Sequence, residues 1–411
     1  MTIQWWGLVS AVVILAVYHF KISLSAYRLY LDIDLQKYDN SLPKYSTVTN
    51  VTVTKDQVLS DKGELAPGIL PLSPWERESA ESRNCTLPVN VPQYCCLGSI
   101  SKGGRMKYFP DICNDSTIYS RVQDHTLEYL DKTWRELNQG SIQIKDDVMQ
   151  IVDYLLKFKL QLSFVGDSLT RQVSSGLECE LFRRGYQVQK RKLNKLRKPA
   201  GCSWRHCIGE KVRFVVQDPK NTSNIFSYTH WGVYRPQRDK QNSEMKKHVI
   251  SSSDIVVFDH GLHWKPFEKQ LFLEDMKDYL VAYKDTNLTL VAWRETSAQH
   301  FDSPGGHYGV GKKSTECVPI IEGQQGHHEP LMRQATSAAG LMWKSVLDAN
   351  FSYQKWQPNE LVFFPYRDYT VPLYYLHPDE CTHFCHTPFV WLPIWRSLRV
   401  AMDRSLQGKA L

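Results

Sequence analysis

No internal repeat runs through this 411-residue chain, which excludes solenoids, propellers and other arrays built on a fixed period. Nor is there a large excess of charge of one sign. Fifty Lys and Arg stand against 43 Asp and Glu, a net of +7, and so mild a surplus gives no case for a nucleic-acid partner. One stretch is conspicuous for having no Asp, Glu, Lys or Arg: "WWGLVSAVVILAVYHF", the 16 residues from Trp5 to Phe20. It falls slightly short of the ~20 residues that a spanning helix wants, and Ile22 to Leu31 extend it past Lys21. No small-x-small cleavage site follows, which favours an uncleaved signal anchor over a signal peptide. Trp5, Trp6 and Tyr18 sit as interface aromatics would. Lys21 and Arg28 lie on the C-terminal side, against the positive-inside preference.

What is present is ordinary for a globular protein. Hydrophobic residues make up 42% and charged residues 23%, enough for a sizeable core, and the length suits one large α/β domain plus extras. The 12 Trp and 21 Tyr suit carbohydrate-facing surfaces as well as plain packing. Ten cysteines, an even number, cluster in short loops: Cys85, Cys95, Cys96, Cys113, Cys179, Cys202, Cys207, Cys317, Cys381 and Cys385. That usage belongs to an oxidising compartment. Asn-x-Ser/Thr sequons stand at Asn50, Asn84, Asn114, Asn221, Asn287 and Asn350. Together these signals predict a type II arrangement with a lumenal or extracellular body, and the expected location is the Golgi or another secretory-pathway membrane, single-pass, with the catalytic domain lumenal.

Along the chain the expected order is an anchor over 1–31, a stem over 32–80 and one domain over 81–411. The stem is rich in Ser, Thr, Pro, Lys and Asp and has no periodicity. Residues 81–145 read as a disulfide-tied subdomain. From about 145 strands and helices alternate. Strands are expected at 161–166, 211–217, 254–261, 288–296 and 360–366, and helices at 168–185, 267–284 and 329–350. Continuous apolar strands between helices predict a sheet covered on both faces, a three-layer α/β/α sandwich. Sites in such sheets gather at the carboxyl ends of strands, where Ser168, Asp259 and Arg294 all fall.

"FVGDSLTRQ" (164–172) passes from an apolar strand into a helix at Gly-Asp-Ser. Ser and Asp are ordinary helix caps. The same turn also suits a nucleophile, because it lifts the Ser168 hydroxyl while the helix N-terminus offers N–H groups to an oxyanion. Gly166 lets an acyl group approach. A nucleophilic serine needs a histidine and an acid. "HPDECTHFCHTPF", from His377, offers His383 with Asp379 and Glu380 just before it. A zinc site made by Cys381, His383, Cys385 and His386 is the competing reading, disfavoured where thiols are oxidised. "VVFDHGLHW" (256–264) and "WRETSAQHF" (293–301) end two further strands with Gly, His and Arg.

These blocks, in this order, resemble the PC-esterase branch of the SGNH/GDSL superfamily, which includes the trichome birefringence-like polysaccharide O-acetyltransferases. The resemblance spans roughly residues 85–400. It implies an SGNH-like fold and a nucleophile at Ser168 with Arg171 three residues on. It also implies a histidine at His383, and an acid at Glu380 by register or Asp379 as the rival. Oxyanion or substrate contacts are implied for Gly166, Asp259, Gly261, His263 and Arg294. The family has Asn where this chain has Asp259. An Asn side chain donates to an oxyanion and an ionised Asp does not, so that role requires a protonated carboxyl. The reaction implied is acetyl transfer to a polysaccharide or glycan hydroxyl. Hydrolysis of an acetyl ester is the alternative, and a non-catalytic carbohydrate-binding protein on the same scaffold is the second. No bound cofactor and no metal are expected, only an acetyl donor as co-substrate. Trp264, Trp293 and Trp391 are expected to line a sugar cleft. "KRKLNKLRK" (190–198) reads as a solvated basic loop, with contact to an anionic glycan or a phosphorylated donor as the alternative. His327 and His328 read as loop residues.

Overall fold

A computed structural model of the chain describes residues 99–102, 105–108, 116–134, 146–193, 211–218, 220–233, 240–264, 268–284, 286–307, 317–320, 328–348, 359–377 and 381–406. The chain divides into two compact units at Ala66 and Pro67. The first unit, with the expected anchor and most of the stem, lies outside the described residues. Among the described residues no helix is long and apolar enough to cross a membrane.

The second unit is a mixed α/β structure. Its described elements begin with the hairpin β1 (Ser99–Lys102) and β2 (Arg105–Tyr108), then α1 (Ser116–Trp134) and α2 (Asp147–Lys157). β3 (Leu162–Gly166), α3 (Ser168–Arg183), β4 (Gln187–Leu193), β5 (Lys211–Gln217) and β6 (Ile225–Gly232) follow. Then come α4 (Lys240–Ser251), β7 (Ile255–Asp259), α5 (Lys269–Val281), β8 (Leu290–Arg294), α6 (Glu329–Ala338) and β9 (Met342–Ser345). β10 (Glu360–Phe364), the single turn α7 (Arg367–Thr370) and α8 (Pro388–Leu406) complete it.

Among the described residues, eight strands form one sheet in the order β4-β5-β6-β3-β7-β8-β10-β9. Only β5 runs against the rest. β3, β7 and β8 are each five consecutive buried residues, as strands covered on both faces must be. On one face Leu162, Phe164 and Val257 pack with Val152 of α2, Val173 and Leu177 of α3, and Trp391 and Trp395 of α8. On the other, Val165, Val256, Phe258 and Trp293 pack with Val249 of α4, Phe272 and Met276 of α5, and Met332 of α6. Asp147 ties α2 to α8 by accepting Arg396 Nε at 2.7 Å and Arg399 Nε at 2.6 Å. Such a buried carboxylate is tolerable only because it is paired.

Two expectations change here. The helix expected over 329–350 stops at Ala338. Gly340 adopts φ +73 and the N–H of Leu341 returns to the carbonyl of Thr336 at 3.0 Å, a left-handed cap that side chains disfavour and glycine accepts. Residues 342–345 then pair in parallel with β10 as the sheet's edge. The basic run at 190 is also not all loop, since Lys190 to Leu193 belong to edge strand β4. The remainder of that run lies outside the described residues.

The fold has its switch point at β3. After β3 the chain moves to β4, β5 and β6 on one side, and after β6 it crosses to β7, β8, β9 and β10 on the other. A crevice opens at the carboxyl end of such a strand, and Ser168 stands there.

Candidate active site

Gly166 ends β3, and a Cβ on it would collide with the carbonyl oxygen of Asp259 and with the Thr170 side chain. A glycine is therefore required for β3, β7 and α3 to come this close. Asp167 caps α3, its Oδ1 accepting the N–H of Leu169 at 2.9 Å. Ser168 is the first residue of the helix, so its hydroxyl is raised at the end of the sheet beside the positive end of the α3 dipole.

The Ser168 Oγ lies 2.7 Å from His383 Nε2. The two residues are 215 positions apart in the chain, and His383 is buried at 6% exposure. A serine hydroxyl within hydrogen-bond reach of an enclosed imidazole is the arrangement that a nucleophile–base pair requires. The site thus absorbs the cap reading of Gly-Asp-Ser without cancelling the other, since Asp167 caps and Ser168 faces the histidine.

The segment that carries His383 is held on several sides. Gln172, one helical turn after Ser168, donates its Nε2 to the carbonyl of Phe384 and accepts the N–H of Phe384 at 3.3 Å. His377 Nδ1 donates to the carbonyl of His383 at 2.8 Å, and the rings of His377 and His300 meet at 2.7 Å. Cys381, two residues before His383, is bonded to Cys317, and its carbonyl accepts the N–H of His300 at 2.9 Å. Cys179 and Cys385 are disulfide-bonded as well. With both thiols oxidised, the competing zinc set is left without its two thiolates. Among the described residues no group of three or more His, Cys, Asp or Glu side chains would hold a metal ion.

Asp259 ends β7 and accepts from three donors: Arg294 Nη2, Thr296 Oγ1 at 2.6 Å and the N–H of Gly261 at 3.1 Å. Both oxygens of Asp259 are occupied as acceptors, which leaves it no donor to turn toward an oxyanion in this arrangement. Gly261 has committed its N–H to Asp259, which removes it from that role too. Arg294 is engaged by Asp259 and by the carbonyl of Glu295 at 3.2 Å. These three residues brace the carboxyl edge of β7 and β8. His263 is more open, its side chain 37% exposed, with Nε2 4.0 Å from Asp167 Oδ2. Burial, and then the charge of Asp259, push the Asp167 carboxyl well above its ordinary value of 3.8. Arg171 is half-buried on α3, and its charge helps depress the pKa of buried His230. Asp379 and Glu380 lie outside the described residues.

No family model and no curated protein matches this chain.

The tryptophans expected to line a sugar cleft do not. Trp264, Trp293 and Trp391 are 4%, 0% and 1% exposed, and Trp391 packs against Gly176 and donates to His386 at 3.2 Å. Three residues near the site escaped sequence reasoning: Gln172, His377 and Thr296. Only Gln172 left a signal, its i+4 spacing from Ser168 on one helix face.

Proposed function

We propose that this chain is a serine-dependent O-acyltransferase with an SGNH-type sandwich, similar to the PC-esterase branch, that moves acetyl groups onto a polysaccharide or glycan hydroxyl. The reading rests on one observation above all: the 2.7 Å contact of Ser168 Oγ with His383 Nε2 at the carboxyl end of the central strand. His383 takes the Ser168 proton while Oγ forms a bond to the acetyl carbonyl carbon. The N–H of Ser168, in the first turn of α3, faces the oxyanion. Collapse expels the donor's leaving group, which receives the proton from His383. An acceptor hydroxyl then gives its proton to His383, attacks the acetyl-serine and releases Ser168. Water in place of that hydroxyl makes the enzyme an esterase.

The carboxylate that orients His383 is Glu380, by its register with Cys381, and Asp379 is the rival. Glu380→Gln is expected to cost far more rate than Asp379→Asn, and the reverse ranking at equal stability moves the role to Asp379. The oxidised cysteines support a secretory compartment. So do exposed sequons at Asn221 and Asn287, both at the sheet end away from Ser168. A type II anchor over 1–31 completes this reading.

The test is incubation of the purified protein with labelled acetyl donors and a glycan panel, alongside an organofluorophosphonate probe. The wild type should label and transfer. Ser168→Ala and His383→Ala should lose about 10³-fold or more in turnover. Near wild-type turnover in either variant ends the proposal.

A further inference from the structure

Strands β4, β5 and β6 present a face unlike the rest of the sheet. Arg191 and Arg213 are directly opposed across the β4–β5 ladder, and both are exposed. Like charges opposite one another in a sheet repel. Lys211 stands two residues from Arg213 on the same face, and its ammonium lies 3.9 Å over the Trp231 ring. Neither arginine finds a carboxylate among the described residues, and Arg213 places Nε and Nη2 on the hydroxyl of Ser227 at 3.2 and 2.9 Å. Their neighbours on this face, Gln189 and Thr229, are neutral and hydrogen-bonding. Lys190 turns to the opposite face and lies 3.4 Å from Glu178. Among the described residues, the cations on the outer face therefore have no carboxylate partner.

Position gives them meaning. Lys211 pairs with Trp231 at the same end of the sheet where Gly232 pairs with Gly166. With strands about 4.8 Å apart, β5 is about 10 Å and β4 about 14 Å from β3 along the edge that carries Ser168. We infer that this face is a docking surface for an anionic glycan chain, whose carboxylate or sulfate groups meet Arg191, Arg213 and Lys211 while the chain extends to Ser168. The inference rests on the acyl-transfer reading for its direction, but the charge complementarity stands without it. A polyanion relieves the Arg191–Arg213 repulsion, and guanidinium groups bind planar oxyanions in bidentate fashion. Hydroxyl-lined strands beside the cations suit the sugar.

Binding of the full-length protein to heparin, polygalacturonate and neutral xylan, measured across salt concentrations, tests this. The wild type is expected to bind both polyanions and to leave xylan unbound. Arg191→Ser/Arg213→Ser should weaken polyanion binding roughly five-fold or more at 0.15 M salt and lower the salt slope by one to two. Arg191→Lys/Arg213→Lys, which keeps the charge, should retain most of the binding. Lys220→Gln, an exposed cation at the other end of β5, should change nothing. Three results overturn the inference: a Ser/Ser loss no larger than that of Lys220→Gln, equal binding of xylan, or arginine-dependent binding to anionic lipid vesicles with none to the glycans. Ser168→Ala should bind as the wild type does. If arginine-dependent binding persists while the wild type transfers no acetyl group, the acyl-transfer reading fails and the docking surface stands.

Discussion

Gln172 exchanges two hydrogen bonds with the backbone of Phe384, donating to its carbonyl and accepting its N–H. One helical turn separates Gln172 from Ser168, and one peptide separates Phe384 from His383. A single amide side chain therefore ties the helix that carries Ser168 to the segment that carries His383. Gln172→Ala leaves two buried backbone groups without partners, at about 1–3 kcal/mol each. The expected result is a fall in kcat of roughly 10- to 100-fold with KM little changed, because the loss falls on alignment rather than on binding. Steady-state kinetics on a variant that still melts cooperatively checks it. An unchanged kcat removes Gln172 from the positioning machinery.

Asp167 carries a linked prediction about pH. Its folded pKa is raised above 3.8 by burial and by Asp259, so the folded protein holds a proton that the unfolded chain releases. The stabilising contribution of that proton is complete below about 3.8 and is lost as pH rises toward the folded value. Asn keeps the oxygen that caps Leu169 and removes the titration. Asp167→Asn should therefore be more stable than the wild type at pH 8, with the gap closing as pH falls toward 4. Urea unfolding at several pH values measures it, and a gap that grows on acidification contradicts the environment described for Asp167.

Legibility differed sharply between the centre of the sheet and its margins. β5 carries the bounds expected from sequence, and β3 and α3 nearly so, because the alternating apolar residues of β5, the continuous apolar run of β3 and the i+4 leucines of α3 report burial directly. β4 was hidden by its lysines and arginines. Edge strands commonly carry charged side chains, Lys above all, so such a strand resembles a charged loop in sequence. The short helix and strand at 329–345 read as one helix in sequence, because apolar residues on both sides of Gly340 continue the helical spacing. The Ser168–His383 pair was legible as residue types in motif context. The commitments of Asp259, Gly261 and Arg294 to one another were not, since they arise from the register of β3, β7 and β8, which no local pattern records.

The histidines predict an acid limit. Burial pushes His260 down to about 3 and both His300 and His307 to about 4, and it depresses His230, His377 and His386 as well. Each is neutral when folded and takes up a proton near 6.5 when unfolded. Their contribution is complete above about 6.5 and is lost as pH falls toward the folded values. Stability should therefore fall steeply between pH 6.5 and 4, with a slope corresponding to more than one proton. Denaturant midpoints that stay flat across this window would contradict neutral burial of these rings.

The Cys317–Cys381 bond gives the last prediction, because it reaches the site through the backbone. It closes a loop with a sequence separation of 64 residues, for which the chain-entropy model gives about 4 kcal/mol of stabilisation. Cys381 is also two residues from His383, and its carbonyl accepts from His300, whose own carbonyl accepts from Val318 at 2.9 Å. Those two backbone bonds survive removal of the sulfurs, and so does the Gln172 clamp on Phe384. Cys317→Ser/Cys381→Ser should therefore lower stability by a few kcal/mol, while activity measured well below the unfolding temperature falls less than ten-fold. Thermal unfolding and turnover of the same preparation separate the two effects. A loss of turnover as deep as that of His383→Ala, in protein still folded, would mean that the disulfide rather than the hydrogen bonds holds the histidine in place.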